Sequence, residues 1–340
     1  MTYELNEEIR KMKKIVVYIV NLVLILTLVS CAKEEMSQDG ITVAVSIAPE
    51  ESFVKAVAGD LVDVVTLIPS GASPTNYQPS PKEMTQFQNA DLYFTIGVAT
   101  EASNILPNIA DNNSEINIIH LEEIVAESYA PRYFSEEDIH EEDAHDEDAH
   151  DEDAHDEDVH DEDAHNEEVH DEDHDHDHEG KDPHIWLSPK RVIVMVGEIQ
   201  KQLMALDPEN ADIYEENAKA YIEELEALDT NLEETISKLE NKTFIIMHPS
   251  LGYFADDYGL KMVALEQDGK ESTASHLQEV IEFTKANNIK VVFYQTEFDS
   301  SQAETLASEI NGEVLAIDVL SSDYMNNMDH ILELFTDVLN

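Results

Sequence analysis

Apolar and polar positions alternate along this chain in two distinct periods. From Ile41 onward, short and almost wholly apolar runs recur: ITVAVSIAP, VDVVTLIP, DLYFTIG and INIIHL. Runs of this kind suit strands of a sheet covered on both faces, and the intervals between them leave room for helices such as FVKAVAGD. The pattern returns after residue 242 as TFIIMHP, LKMVAL, KVVFYQ and EVLAIDVL, separated by the helical stretches ASHLQEVIEFTKANN and SSQAETLASEIN. Two α/β lobes, each built on a four-stranded sheet, are predicted.

Between the two sets the period lengthens. Asp207-Pro208 offers an N-cap and a proline at the first helical position. Tyr214, Ala218, Tyr221, Leu225, Leu228, Leu232, Ile236 and Leu239 then follow at intervals of three and four. One helix of about eight turns with a single buried stripe, ending near Asn241, accounts for that spacing. The expected organisation is an N-terminal lobe over 41–188, a helical connector over 189–241 and a C-terminal lobe over 242–340. The long rigid helix joining the lobes implies small movements between them.

Charge changes this picture in one place. The chain has 340 residues and a formal net charge of −56. Residues 136–179 hold 26 Asp or Glu and no Lys or Arg, leaving 49 acidic against 19 basic residues elsewhere. No basic stripe for phosphate exists beyond the extreme N-terminus, so a nucleic-acid partner is not expected and cations are the natural ones. The same segment repeats a five-residue phrase, HDEDA, and carries His140, His145, His150, His155, His160, His165, His170, His174, His176 and His178. On a helix that period would rotate successive histidines by about 140°, so no common face forms. With little to bury and much like charge, 136–181 is predicted to be a disordered loop inside the first lobe. Imidazole and carboxylate both ligate borderline divalent metals, so the loop is an auxiliary site that concentrates metal in weak, numerous complexes. Its histidines bind only when neutral, and capture should weaken below about pH 6.5.

The N-terminus has a different chemistry. Arg10, Lys11, Lys13 and Lys14 precede an apolar run from Ile15 to Val29, and Leu28-Val29-Ser30-Cys31 follows. This is the layout of an export signal, and the run is shorter than the roughly 20 residues of a spanning helix. It resembles a bacterial lipobox, with residues 1–31 as signal peptide, Cys31 lipidated as the mature N-terminus, and 32–40 as a tether. Met12 is a candidate start, which would make Met1–Lys11 an extension. Cys31 is the single cysteine and has no internal disulfide partner. A monomer held on the extracytoplasmic face of the membrane by a lipid is expected.

Four residues are candidates to hold one ion tightly. His184 lies in DPHIWLSP, between two prolines and beside the sole tryptophan. His248 follows the apolar run FIIM, Glu297 follows KVVFYQT, and Asp318 lies near the end of VLAIDVL. Strand ends are where α/β sheets place ligand-binding groups. Two imidazoles and one or two carboxylates converging in an interlobe cleft would suit Zn2+, with Mn2+ the alternative where oxygen predominates. His120, His276 and His330 lack such motifs and read as structural. No HExxH helix, G-x-S-x-G elbow or nucleotide-binding glycine loop occurs, and the chain holds only ten glycines. A binding protein is therefore expected rather than an enzyme.

DPHIWLSP, FIIMHPSLGYFADDYGL, GASPTNYQPSP and the lipobox together resemble the zinc and manganese substrate-binding lipoproteins of ABC importers, from about Ile41 to the C-terminus. The resemblance implies two α/β lobes joined by one rigid helix, metal capture outside the cytoplasm and delivery to an ABC transporter permease. A His-rich acidic loop is typical of the zinc-handling members. It implies His184 and His248 as ligands and Asp318 as a carboxylate ligand from the C-terminal lobe. The family's first-lobe pattern G-x-D-P-H-x-Y-E-P carries a further ligand histidine, but Thr75 stands there in Gly71-Ala72-Ser73-Pro74-Thr75. Glu297, a loop histidine or water can complete the shell, and Glu297 is preferred. The alternatives are a surface metal-storage or adhesin lipoprotein that uses the repeat alone, and a zinc hydrolase.

Overall fold

The computed structural model describes residues 40–109, 113, 116–134, 180–266 and 272–340. Cys31, the apolar run before it and the ten repeat histidines lie outside the described residues.

Each apolar run becomes a strand. The first four give β1 (Ile41–Val45), β2 (Val62–Thr66), β3 (Leu92–Thr95) and β4 (Asn117–His120). The second four give β5 (Thr243–Ile246), β6 (Lys261–Ala264), β7 (Val291–Gln295) and β8 (Glu313–Ile317). They form two four-stranded parallel sheets with matching orders, β2-β1-β3-β4 and β6-β5-β7-β8. In each, the chain moves first to one side of its opening strand and then to the other. The strand ends at that reversal border a crevice, the usual ligand position of such sheets. In the second sheet the reversal lies between β5 and β7, where Ile245 pairs with Val292 and Ile246 with Phe293.

The α-helices among the described residues are α1 (Ala48–Ala58), α2 (Pro81–Phe87), α3 (Leu121–Ala126), α4 (Pro189–Leu206), α5 (Ala211–Ile236), α6 (Gly252–Tyr258), α7 (Ala274–Ala286), α8 (Ser301–Glu309) and α9 (Tyr324–Leu339). The long helix is α5. Its stripe Tyr214, Ala218, Tyr221, Leu225, Leu228, Leu232 and Ile236 is buried throughout, as the spacing predicts. It begins later than expected, because Pro208–Asn210 form a tighter 3-10 turn after α4, and its α-helical course ends at Ile236. It packs against α1 of the first lobe and α9 of the second. Asn217 Nδ2 donates to the Val57 carbonyl of α1 at 3.0 Å, and Tyr258 of α6 donates to Asp229 Oδ1 at 2.7 Å. Phe53 and Tyr324 add an edge-to-face contact between α1 and α9 at 5.0 Å. Truncating a stripe leucine such as Leu225, wholly buried, to alanine would cost about 2–5 kcal/mol.

The flanks of the insertion are drawn together. Tyr133 and Lys181 form an antiparallel bridge, and the Phe134 N–H donates to the Gly180 carbonyl at 2.7 Å. Gly180 and Lys181 were expected within the disordered loop; they belong instead to this closure, since a paired backbone outweighs their polar character. Among the described residues no helix is long and apolar enough to cross a membrane.

Candidate metal centre

The two motif histidines meet. His184 precedes a 3-10 turn, Ile185–Leu187, whose residues are all buried, and His248 lies two residues beyond β5. Their ring centroids are 5.3 Å apart at an interplanar angle of 71°. Both are buried, with 8 % and 6 % of their surface exposed, so each imidazole sits at a wall rather than free in solvent. Trp186 packs against His184 at 5.1 Å and Phe298 stacks on His248 at 4.8 Å. Trp186 in turn donates to the Val319 carbonyl at 2.8 Å, fixing the His184 loop against the segment after β8.

Each ring is oriented by a carboxylate. His184 Nδ1 is 2.7 Å from Asp182 Oδ1, which also accepts the His184 backbone N–H at 3.0 Å. His248 Nδ1 is 2.6 Å from Glu266 Oε2. A carboxylate accepts only, so Nδ1 carries the proton in each neutral ring and Nε2 keeps its lone pair. Neither Nε2 has a hydrogen-bond partner among the described residues. Burial lowers the pKa of His184 from its ordinary value, with Asp182 opposing, so the neutral form is favoured. This carboxylate–histidine arrangement is how proteins aim imidazole at a metal.

The second sheet repeats one placement. Glu266 follows β6 by two residues, as His248 follows β5 and Glu297 follows β7, while Asp318 follows β8 directly. Thus every strand of this sheet ends in an imidazole or a carboxylate. Glu297 is partly buried, and burial, assisted by the Asp318 charge, raises its carboxyl pKa. Thr296 donates to its Oε1 at 3.0 Å, whereas its buried Oε2 has no hydrogen-bond partner among the described residues. Ser250 Oγ and Gln295 Nε2, on the segments bordering the same reversal, are buried and unpaired as well. Buried polar atoms are rarely left so without a ligand or water to meet them. Asp318 is exposed, and its Oδ1 accepts the Leu320 N–H at 2.9 Å. Thr75 is exposed in a turn.

The first lobe holds a different collection. His120 ends β4, with Nδ1 2.9 Å from Thr95 Oγ1 and 3.3 Å from Glu122 Oε1. Behind it, Glu101 is buried and accepts from Ser46 Oγ, from the Ile96 N–H at 2.9 Å and from the Gly97 N–H at 2.8 Å. Burial, and then the Glu122 charge, push the Glu101 carboxyl up to about 8. Glu50, fully buried, accepts the Ser46 and Ile47 N–H groups at 3.0 Å, and burial raises its carboxyl well above the usual range. His120, Glu122 and Glu123 form the group of three donors whose ligand atoms all lie within 4.8 Å among the described residues; His184, His248, Glu297 and Asp318 form no group that tight. His276 Nε2 meets the Ala264 carbonyl at 3.1 Å, and exposed His330 lies 3.7 Å from Glu333. Asp182 and Glu266 stand outside the set of site residues expected from the sequence. The D-x-H spacing was available for the first; the second has only its place beyond a strand.

Residues 43–338 match the family described as zinc-uptake complex component A, periplasmic. The zinc-binding lipoprotein AdcA of Streptococcus pneumoniae is 29% identical over 328 residues, covering 95% of this chain but 56% of its own length. The chain thus spans little more than half of that curated relative. The high-affinity zinc uptake system protein ZnuA of Bacillus subtilis is 31% identical over 284 residues, covering 83% of this chain and 79% of the relative. A crystal structure of ZnuA superposes with a TM-score of 0.72 at 29% identity, covering 89% of this chain and all of that one. Family match, sheet orders and the paired imidazoles agree: the chain belongs to the zinc-uptake complex component A family.

Proposed function

We propose that this chain is the substrate-binding component of a metal ABC importer, capturing Zn2+ outside the cytoplasm and passing it to a membrane permease. One observation carries the reading: two buried imidazoles face one another at 5.3 Å, each with Nδ1 held by a carboxylate and Nε2 left for a ligand. His184 and His248 supply two nitrogen donors, Glu297 the third through its unpaired Oε2, and Asp318 the fourth. Such a set suits Zn2+ better than Mn2+, which prefers more oxygen. The names of the pneumococcal and Bacillus relatives, which specify zinc binding and zinc uptake, support this cargo. Anchoring through a lipid on Cys31, a monomeric state, and ion concentration by the histidines of 136–179 complete the proposal. The protein binds and releases; it performs no chemistry on its cargo.

Competition with chelators on the mature protein tests this. Alanine at His184 or His248 should weaken the tightest Zn2+ affinity by more than about 100-fold, beyond the range of outer-shell changes. Deleting 136–179 should leave one tight site and abolish several weak ones. Undiminished tight binding in either alanine variant would refute the assignment.

A further inference from the structure

The root of the acidic insertion reaches the proposed ligand His184 through one cation. Arg132 stands on the segment entering the insertion and Asp182 on the segment leaving it, and the Asp182 N–H donates to the Arg132 carbonyl at 2.9 Å. Across that closure Arg132 Nη1 donates to Asp182 Oδ2 at 3.3 Å. Asp182 is fully buried, and its other oxygen, Oδ1, orients the His184 ring. Arg132 also engages the second lobe: Nε lies 3.2 Å from Asp256 Oδ2, and its backbone N–H donates to the Tyr253 hydroxyl at 2.8 Å. That hydroxyl donates in turn to the Asp182 carbonyl at 3.0 Å.

A second, independent feature concerns Gly252, the first residue of α6. A Cβ built there would lie 2.6 Å from Arg132 Cζ and Nη1. The guanidinium therefore rests against backbone that a side chain would deny it.

We propose that Arg132 is a positioning residue for His184: it holds the Asp182 carboxylate so that the ring presents Nε2 toward His248, and Gly252 lacks a side chain so that the guanidinium can enter. The inference rests on the metal-site reading above. A buried carboxylate that loses the donor holding its second oxygen can turn away, and that turn releases the imidazole it orients. Arginine suits the place because its planar fork serves Asp182 and Asp256 from different nitrogens, which an ammonium cannot do with the same geometry.

The test uses the mature full-length protein, with Zn2+ affinity read by chelator competition and Co2+ absorption reporting the coordination geometry. R132A should weaken Zn2+ binding by about 10-fold and alter the Co2+ spectrum, as outer-shell losses do. R132K should restore only part of the affinity. G252A should reproduce the R132A effect while keeping the charge, and it guards against misfolding of R132A because only a side-chain tip must move. On a D182A background, R132A should add less than twofold, since both act through one carboxylate. Affinity and spectrum unchanged in R132A and G252A, or full additivity with D182A, would overturn the proposal. H184A separates the failures: if it keeps the tight affinity, the site reading itself is wrong; if it alone loses affinity, only the role of Arg132 falls.

Discussion

His248 and His120 occupy comparable positions in the two lobes, yet their surroundings assign them different chemistry. Each lies at the C-terminal end of a parallel strand, and each has Nδ1 beside a carboxylate, Glu266 at 2.6 Å and Glu122 at 3.3 Å. His248 is buried and faces a second imidazole, whereas the His120 side chain is 38% exposed and shares Nδ1 with Thr95 as well. The hydrogen bond to Glu122 raises the pKa of His120, so this ring tends to hold a proton where a metal would need its lone pair. At His184, burial outweighs Asp182 and lowers the pKa. A histidine beside a carboxylate thus becomes a proton holder or a metal donor according to how much water it has lost and whether a second donor faces it.

The strongest way to break this comparison is at the carboxylates. Glu266→Ala frees the His248 ring and should lower tight Zn2+ affinity by about 10- to 100-fold, the range for removing the partner of a ligating histidine. Glu122→Ala removes the corresponding group in the first lobe and should change that affinity by less than twofold. Chelator competition on both variants decides the matter. Equal losses would mean that His120 also takes part in the site.

Glu297 sharpens the comparison by asking what completes the shell. Its Oε2 is buried and unpaired, whereas Asp318 already accepts the Leu320 N–H. Glu297→Gln keeps the shape and removes the charge, and should weaken Zn2+ binding by about 10-fold, less than loss of an imidazole. Asp318→Asn should cost less than Glu297→Gln. The reverse order would move the carboxylate ligand from β7 to β8.

Much of this architecture was legible in the apolar pattern, because burial is written residue by residue. The eight strands lie within the eight apolar runs, and the α5 stripe is the set of residues spaced at three and four. His184 and His248 were legible because DPHIWLSP and the HPS after a strand are local signals. Glu266 and Arg132 were not, since the contacts that define them join residues 18 and 50 positions apart, and no local period encodes such pairs. Pro208–Asn210 tightened into a 3-10 turn for another reason: Asp207 Oδ2 accepts from Asn210 Nδ2 at 2.7 Å and from the Tyr214 hydroxyl at 2.8 Å, so it organises the turn before the helix starts.

A change in stability rather than in affinity concerns the first lobe's buried carboxylates and separates protonation from metal binding. In the folded chain Glu101 keeps its proton up to about pH 8, because burial and the Glu122 charge oppose ionisation. Unfolded, it ionises near the ordinary glutamate value of 4.5. Between those values the folded state binds more protons than the unfolded state, so this residue makes stability fall as pH rises through that window. The slope is at most about 1.4 kcal/mol per pH unit. Glu101→Gln has no such proton and should flatten the decline. The amide also places a donor against the Ile96 or Gly97 N–H groups, which lowers stability by an amount independent of pH. Urea unfolding of parent and variant at pH 5 and pH 7.5 therefore reads the difference in slope, whatever the offset. Parallel pH dependences would show that Glu101 is ionised in the folded protein, and the first lobe would then hold a buried negative charge awaiting a cation, which would erase the contrast drawn between the lobes.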